Sequence, residues 1–292
     1  MVIHNKYRAL FRRVVFLSLF AVSMIFVEAC NVDLLGIFGS GDLDIRLEDR
    51  DTFNFLTPDM RAPPSFGNEY SFIVLSDTHI EDGDDHGLLE KLASVIDADV
   101  KFVVITGDIT QYGGREDVQK IIDIANSLAD LSPSVPCYPV LGNHDVYFNN
   151  WPVWKELIGS SRYRIDTSDG GTTLFILDSA NAYFGTAQLD WLERELKTAN
   201  GYVFVFTHTN LFLGDRSSIV EVGQLTDIRE RARVVSLLNG RADAMFTGHI
   251  HQRIIKQIGG VHYITLEDYV RNKTYCRVSV SPSRIEWEFK KL

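Results

Sequence analysis

The chain has 292 residues, of which 45% are hydrophobic and 23% are charged, and its formal net charge is −10. This length is enough for one large α/β domain, or two small ones, with a sizeable core. The negative charge argues against non-specific binding to nucleic acid or to anionic membranes, and three cysteines are too few for a disulfide framework.

Residues 1–29 are predicted to be an export signal. Basic residues lie between positions 6 and 13, and the uncharged run over residues 14–27 is shorter than the about 20 residues that span a bilayer. Cys30 follows, and Val27-Glu28-Ala29-Cys30 resembles a bacterial lipobox, although Leu is usual at Val27 and a small residue at Glu28. We expect export and a lipid anchor on Cys30. The alternative is an uncleaved N-terminal anchor in which Cys30 is an ordinary thiol.

Residues 30–69 are predicted to be a tether. Glycine and proline recur through this segment, and acidic residues cluster between Asp42 and Asp59, so we expect most of it to be solvated linker. The folded domain is predicted to occupy residues 70–292.

The first half of this domain alternates apolar β-favouring runs with amphipathic helical patterns. The predicted elements are strands at 71–76, 102–106 and 137–141 and helices at 87–96 and 116–131. This alternation at short spacing is typical of parallel βαβ units.

The second half continues the α/β pattern less regularly. It predicts a hairpin of strands 162–166 and 173–177, helix 188–197, strand 202–206, helix 226–239 and strand 244–247. Asp227 and Glu230 resemble a capping box at the start of the last helix. Four further runs, at 253–258, 261–266, 275–280 and 284–289, are predicted to be antiparallel strands that finish a second sheet.

Five short polar stretches each follow a predicted strand. They are Asp77-Thr78-His79, Gly107-Asp108, Asn143-His144-Asp145, His208 and His249-Ile250-His251. Ligands bind where the carboxyl ends of parallel strands gather, so we expect these stretches to meet at one edge. Because residues i and i+2 of an extended chain point to the same side, Asp77 with His79, and His249 with His251, should each aim two ligands at one point.

The residue types in these stretches are typical of a metal site. Imidazole and carboxylate ligands suit zinc, iron or manganese. Seven candidate ligands are too many for one tetrahedral ion but suit two ions that share a bridge: Asp77, His79, Asp108, Asn143, His208, His249 and His251. Two divalent ions less two carboxylates and one bridging hydroxide leave a charge of about +1, which favours phosphate binding and in-line displacement.

Together the five stretches resemble the motifs of calcineurin-like metallophosphoesterases, which read Asp-x-His, Gly-Asp, Gly-Asn-His-Asp/Glu, His and Gly-His-x-His. All five are present in that order across residues 72–290. The resemblance implies a four-layer αββα sandwich of two mixed β-sheets flanked by helices, and metal-dependent hydrolysis of phosphate esters. The stretch from Leu177 to Ser179, followed by residues 188–192, also resembles the compact bacterial branch with cyclic-nucleotide phosphodiesterases and small phosphatases.

The resemblance also implies a role for each site residue. The first metal would be bound by Asp77, His79 and His251, and the second by Asn143, His208 and His249, with Asp108 shared. His144 would be the general acid, and Asp145 would orient it. The nucleophile would be a metal-bound hydroxide.

Several alternatives stay open at this stage. The ligand set fits iron–zinc, iron–manganese and dimanganese centres. The motifs do not separate a phosphodiesterase from a phosphomonoesterase, and export favours a substrate met outside the cytoplasm over an intracellular second messenger. A surface-anchored protein that binds metal or phosphate ligands without catalysis is the alternative from another class. The intact His144 argues against it.

The remaining reactive and aromatic residues are predicted to be structural. Cys137 and Cys276 lie in predicted strands and are expected to be small core residues rather than a disulfide. We expect no function for His4, His86 or His262. Six aromatic residues flank the motif loops and are expected to be core, with stacking on a substrate ring as the alternative: Tyr147, Phe148, Trp151, Tyr183, Phe184 and Phe212.

Overall fold

A computed structural model describes residues 43–48, 53–131, 134–213 and 227–292. The predicted signal over residues 1–29 and the proposed lipid attachment at Cys30 lie outside the described residues. Among the helices of the described ranges, none combines the length and apolar character needed to cross a membrane.

The strands form two sheets. In chain order they are β1 (Tyr70–Leu75), β2 (Val100–Thr106), β3 (Cys137–Val140), β4 (Tyr163–Asp166), β5 (Thr172–Ile176), β6 (Tyr202–Phe206), β7 (Ala244–Thr247), β8 (Ile254–Ile258), β9 (Val261–Thr265), β10 (Thr274–Ser281) and β11 (Arg284–Lys291). The first sheet has the order β11-β10-β1-β2-β3, and the second has the order β4-β5-β6-β7-β9-β8. Both are mixed. Neighbouring strands among β1–β3 and among β5, β6, β7 and β9 pair parallel, while β4, β8, β10 and β11 pair antiparallel with their neighbours.

Helices connect the strands and cover the sheets. In chain order the described helices are α1 (Leu43–Glu48), α2 (Pro58–Arg61), α3 (Leu88–Val95), α4 (Arg115–Ala129), α5 (Trp151–Leu157), α6 (Thr186–Glu195), α7 (Ile228–Leu238) and α8 (Tyr269–Asn272). The predicted strands and helices agree with these bounds to within a few residues at either end. The predicted helix start at Thr226 lies outside the described residues.

The two sheets pack face to face through aromatic side chains. Phe72 of β1 lies 4.9 Å from Phe204 of β6 and 5.8 Å from Phe246 of β7, measured between ring centroids. The alternate residues Val203 and Val205 of β6 instead join the cluster beneath α6 and α7, as the period of two along a strand requires. Helices therefore flank both sheets, and the expected αββα sandwich is confirmed.

The last two strands differ from the sequence prediction. β10 and β11 do not finish the second sheet, because β10 pairs antiparallel with β1 and extends the first sheet. β9 also pairs parallel with β7 rather than antiparallel. The alternating pattern identifies strands but does not identify their partners, so the prediction of one antiparallel run was wrong.

The described part of the predicted tether is folded. Phe55, Leu56, Met60 and Phe66 are buried in the main core. Tyr138 of β3 donates a hydrogen bond from its hydroxyl to the Met60 carbonyl (2.8 Å). The prediction of a solvated linker is therefore wrong for residues 53–69, because their apolar side chains cover the end of the core. Residues 43–48 are also packed, as α1, with Leu43 and Leu47 buried.

The predicted capping box at α7 is only half formed. Asp227 caps the helix, since its side chain accepts from the backbone N–H groups of Arg229 and Glu230. The Glu230 carboxylate does not return to Asp227. It accepts instead from the backbone N–H groups of Phe184 (2.6 Å) and Gly185 (2.9 Å), at the start of α6. Glu230 therefore links α7 to the start of α6 rather than completing a capping box in α7.

Cys137 and Cys276 are buried free thiols, which confirms the expectation of core residues rather than a disulfide. Burial raises the pKa of each thiol to about 12, so neither carries a reactive thiolate at neutral pH.

We expect Ellman's reagent to find no reactive thiol in the folded Cys30→Ser protein and two after denaturation, because only two of the three cysteines then remain. The measurement is absorbance against denaturant concentration. A thiol that reacts within minutes under native conditions would contradict the burial of these side chains.

Candidate metal centre

The polar stretches singled out in the sequence lie at the carboxyl ends of strands from both sheets. Asp77 and His79 follow β1, Asp108 follows β2, Asn143 and His144 follow β3, His208 follows β6, and His249 and His251 follow β7. The two sheets thus contribute to one site, as the strand-end argument predicts.

Asp77, His79 and His251 form the first of two groups whose ligand atoms lie within 4.8 Å of one another. His251 Nε2 lies 3.1 Å from Asp77 Oδ1. The backbone N–H of His249 donates to Asp77 Oδ2 (3.2 Å). This last hydrogen bond ties the first group to a residue of the second.

Asp108, His208 and His249 form the second group. The Nε2 atom of His208 lies 3.1 Å from Asp108 Oδ2, 3.0 Å from Asn143 Oδ1 and 3.2 Å from His249 Nδ1. Asn143 therefore belongs with this group, as the family resemblance implies. Tyr147 fixes its amide, because Asn143 Nδ2 donates to the Tyr147 hydroxyl (2.6 Å) and Oδ1 then faces His208.

The backbone turns sharply at the candidate ligands rather than running extended. Asp77, His79, Asp108, His249 and His251 all have φ between 46° and 76°, a left-handed conformation that is uncommon outside glycine. The prediction of extended backbone at these ligands is therefore wrong, and His249 and His251 do not aim at one point. Asp77 and His79 do share a group, but His249 and His251 belong to different groups. Strained backbone of this kind concentrates at functional sites.

Glycines allow the loops to approach one another closely. Gly107 has a φ of +85°, and a Cβ atom there would lie 2.5 Å from His208 Nδ1. A Cβ on Gly142 would overlap the backbone nitrogen of Asp108. The Gly-Asp and Gly-Asn-His-Asp motifs thus need glycine because the ligand loops are in contact at these positions.

The charges within the site explain its protonation. Burial alone would raise the pKa of Asp77, but His251 lowers it to about 2. Burial likewise opposes ionisation of Asp108, yet His208 and other imidazoles hold its pKa well below the usual range. Burial disfavours charge on His208, but Asp108 raises the pKa of this imidazole to about 9. The two buried carboxylates therefore attract positive charge, whether protons on imidazoles or metal cations.

Two imidazoles of the site, those of His79 and His249, are neutral. Burial lowers the pKa of His79 to about 4 and that of His249 to about 3. A neutral imidazole has one nitrogen lone pair available for a metal, so these residues are suited to act as ligands.

The donor set fits metal ions. Both ring nitrogens of the buried His79 lack a hydrogen-bond partner, which is costly unless something else satisfies them. His208 Nδ1 lies 2.9 Å from the Thr106 carbonyl, an acceptor, so Nδ1 carries the proton. In the neutral imidazole the Nε2 lone pair therefore faces the oxygens of Asp108 and Asn143. Lone pairs that converge in this way need positive charge between them, which a proton on Nε2 or a metal ion can supply.

His144 lies beside the second group with one ring nitrogen facing it. Its Nδ1 lies 2.9 Å from the Gln111 carbonyl and therefore donates to it, while Nε2 lies 3.9 Å from Asp108 Oδ2. The backbone N–H of His144 donates to Asp108 Oδ1 (2.9 Å). The orientation of the ring leaves Nε2 free to exchange a proton in the site.

Asp145 does not orient His144 directly, so that prediction was wrong. This buried carboxylate accepts from Thr110 N (2.8 Å), Thr110 Oγ1 (3.0 Å) and Gly142 N (2.8 Å). It ties the loop in which Gln111 lies to the loop that carries His144, without a contact to the His144 ring. Burial raises the pKa of Asp145 to about 7, with a further contribution from Asp108.

A sequence model of the family described as calcineurin-like phosphoesterase matches residues 70–253, well over half of the chain. The chain belongs to the calcineurin-like phosphoesterase family. It is thus a metallophosphoesterase by family, and the two groups of candidate ligands agree with that membership.

Two curated relatives are named as phosphodiesterases. This calcineurin-like chain is 25% identical over 202 residues to a probable cyclic nucleotide phosphodiesterase of Fibrobacter succinogenes, covering 63% of this chain and 73% of the relative. It is 26% identical over 185 residues to a 3′,5′-cyclic-nucleotide phosphodiesterase of Nostoc sp., covering 60% of this chain and 64% of the relative.

Solved structures of similar fold include a purple acid phosphatase from yellow lupin seeds, with a TM-score of 0.58 at 12% identity. The match covers 79% of this chain and 53% of the lupin chain. GAP50, the anchor in the inner membrane complex of Plasmodium, has a TM-score of 0.55 at 13% identity and is covered over 85% of its length, against 77% of this chain. At these identities the likeness concerns the calcineurin-like fold alone.

Two contributors to the site of this phosphoesterase escaped the sequence reasoning. Tyr147 was expected to be core, and it is 3% exposed, but its hydroxyl also orients Asn143. The Gln111 carbonyl holds His144. A backbone carbonyl has no signature in a sequence, whereas the tyrosine four residues after Asn143 is a visible, if weak, signal.

Proposed function

We propose that the protein hydrolyses phosphate esters with two metal ions. Asp77, His79 and His251 would hold one ion, Asn143, His208 and His249 would hold the other, and Asp108 would serve as a ligand of both. The convergence of lone pairs from Asp108, Asn143 and His249 on His208 Nε2 carries this proposal. When bound, the ions lower the pKa of water and offset the negative charge of the phosphate.

Side chains of the protein would protonate the leaving group and position the proton donor. His144 Nδ1 donates to the Gln111 carbonyl. This hydrogen bond orients the ring, so that protonated Nε2 can donate to the leaving oxygen of the ester. Asp145 keeps the Thr110–Gln111 loop in place and acts as a positioning residue. No covalent intermediate with a side chain is needed, since water supplies the nucleophile.

The names of the two curated relatives support a phosphodiester as substrate. We favour a phosphodiesterase over a phosphomonoesterase for that reason. Imidazole and carboxylate ligands of this kind suit iron, manganese or zinc.

Metal analysis followed by a substrate panel on the same preparation tests the proposal. Full-length protein loaded separately with manganese, iron or zinc is expected to bind about two metal ions and to hydrolyse bis(p-nitrophenyl) phosphate faster than p-nitrophenyl phosphate. Chelation should remove the activity, and metal addition should restore it. Bound metal without turnover of any ester would contradict catalysis and favour a binding protein.

Replacing His144 by alanine is expected to lower kcat for a diester with an alkyl leaving group by about 100-fold or more. The loss should be smaller for a p-nitrophenyl ester, because that leaving group departs as a stable anion. His262→Ala is the matched control, since this imidazole packs on Trp287 at a ring distance of 4.4 Å. Equal losses for both leaving groups would contradict the role of His144 as an acid.

Export and lipid attachment at Cys30 are part of the proposal. The basic segment, the apolar run and Ala29-Cys30 support them, and a site outside the cytoplasm would suit nucleotides or other esters met there. Mass spectrometry of the protein from membranes is expected to find a lipid-modified Cys30 at the N-terminus. An intact N-terminus at Met1 would contradict both export processing and lipidation.

A further inference from the structure

Two aromatic side chains beside the proposed centre are exposed. Phe148 is 57% exposed and Tyr112 is 42% exposed, and their ring centroids lie 5.9 Å apart. Among the large hydrophobic side chains exposed in the described ranges, these two are the aromatic ones; the others are isoleucines. Of the six aromatic residues considered for stacking from the sequence, Phe148 alone belongs to this exposed set.

Both residues are directly bonded in sequence to groups that touch His144. Tyr112 follows Gln111, whose carbonyl accepts from His144 Nδ1. Phe148 follows Tyr147, whose ring lies 4.3 Å from the His144 ring. Asn150 Nδ2 donates to the Tyr112 carbonyl (2.8 Å) and ties the two loops together. The exposed pair therefore lies on the two loops that position His144.

Phe148 adopts a conformation that its side chain disfavours. Its φ is 54° and its ψ is 29°, a left-handed conformation that is an outlier for a bulky residue. Burial does not compensate for this strain, because more than half of the side chain is in solvent. Strained residues of this kind persist at functional sites, and exposed apolar surface beside a site suggests a ligand.

We propose that Tyr112 and Phe148 form an aromatic platform that binds a planar aromatic ring of the substrate, either a nucleobase or an aryl group. The inference rests on the proposed function, since it places the ring on the side of the phosphate where His144 protonates the leaving oxygen. Aromatic faces attract planar aromatic rings of any kind by stacking. The platform would thus favour aromatic esters without selecting one base.

Inert phosphonates test the platform without turnover. Calorimetry on manganese-loaded full-length protein would compare phenylphosphonate with cyclohexylphosphonate, which has similar size but no aromatic face. We expect phenylphosphonate to bind about tenfold tighter. A second pair, 9-(2-phosphonomethoxyethyl)adenine and methoxymethylphosphonate, separates a preference for nucleobases from one for simple aryl rings.

The variants Phe148→Gly and Tyr112→Ala should reduce the phenyl preference. Phe148→Gly should also melt at an equal or higher temperature, because glycine accepts the positive φ. Phe148→Trp should keep the preference, and Ile255→Ala, an exposed apolar residue on β8, is the control that should leave it unchanged.

Equal affinity for phenylphosphonate and cyclohexylphosphonate in the unmodified protein, or an unchanged preference in both platform variants, would overturn the platform. Hydrolysis of esters without any ring preference would overturn the platform and leave the proposed function standing. A ring preference without hydrolysis of any ester would support the platform and overturn the proposed function.

Discussion

Replacing Asp108 by alanine is expected to lower kcat/KM for bis(p-nitrophenyl) phosphate by at least about a thousandfold. Asp108 is the carboxylate of the second group, and its Oδ2 atom lies 3.1 Å from His208 Nε2. Without it, this group keeps neutral ligands only and cannot offset the charge of a bound cation. Asn143→Ala should have a smaller effect, because one neutral oxygen is lost. The measurement combines steady-state kinetics with metal content by mass spectrometry.

Asp123→Ala is the matched control for the Asp108 variant. Asp123 is a carboxylate on the exposed face of α4, where it accepts from Gln119 Nε2 (3.1 Å). Its replacement should leave both metal content and turnover unchanged. Retained activity in both Asp108→Ala and Asn143→Ala, at full metal loading, would contradict the assignment of the centre.

Replacing Arg46 by methionine is expected to destabilise the protein by about 3–5 kcal/mol. The Arg46 side chain is fully buried, with Nε 2.7 Å from Asp178 Oδ2 and Nη2 2.9 Å from Asp178 Oδ1. Methionine fills similar space but leaves the Asp178 carboxylate buried without its cation. The free energy of unfolding, from urea titration followed by circular dichroism, measures the loss.

A surface ion pair is the control for Arg46. Arg115 and Glu156 also pair, but their side chains are 56% and 62% exposed, so Arg115→Met should cost no more than about 1 kcal/mol. The double variant Arg46→Met/Asp178→Leu should lose less free energy of unfolding than the two single variants lose in sum, because no charge is left buried. Equal small losses at Arg46 and Arg115 would show that the N-terminal segment does not hold the domain together.

The buried pair also lies close to the proposed centre. Ser179 follows Asp178, and its hydroxyl bonds with Thr207 Oγ1 (2.7 Å) and accepts from Thr209 N (2.8 Å), the residues on either side of His208. Loss of Arg46 should therefore loosen the second group as well as the core.

The strands and the position of the site could be predicted because they depend on local signals. Val103, Val104 and Ile105 favour a buried strand, and Gly107-Asp108 ends it with a carboxylate at the edge where ligands bind. The same reasoning applied to each of the five stretches, so the convergence of the ligands followed from the parallel topology.

The detailed geometry could not be predicted, because it depends on contacts that are distant in sequence. The left-handed backbone of Asp77 and His251 reflects the packing of one loop against another, which the sequence does not encode locally. The Asp145 carboxylate bonds with Thr110, 35 residues away in sequence, and it does not orient the ring of the adjacent His144 as expected.

The prediction that the N-terminal segment is a solvated linker failed for a related reason. Composition rich in glycine, proline and acidic residues favours a linker, and nothing near Arg46 shows that its partner Asp178 lies 132 positions later. Only the tertiary structure shows that this cation is in the core.

The pairing of β1 with β10 has a consequence for biosynthesis. Tyr70 is the register partner of Val280, and Val74 that of Cys276, so a central strand of the first sheet lacks one neighbour until about two hundred further residues have been made. Such high contact order slows folding, and the exposed edge invites association with other chains in the meantime. Nascent fragments that end before residue 274 should therefore need chaperone protection, and the native state should form only after the final hairpin has been released from the ribosome.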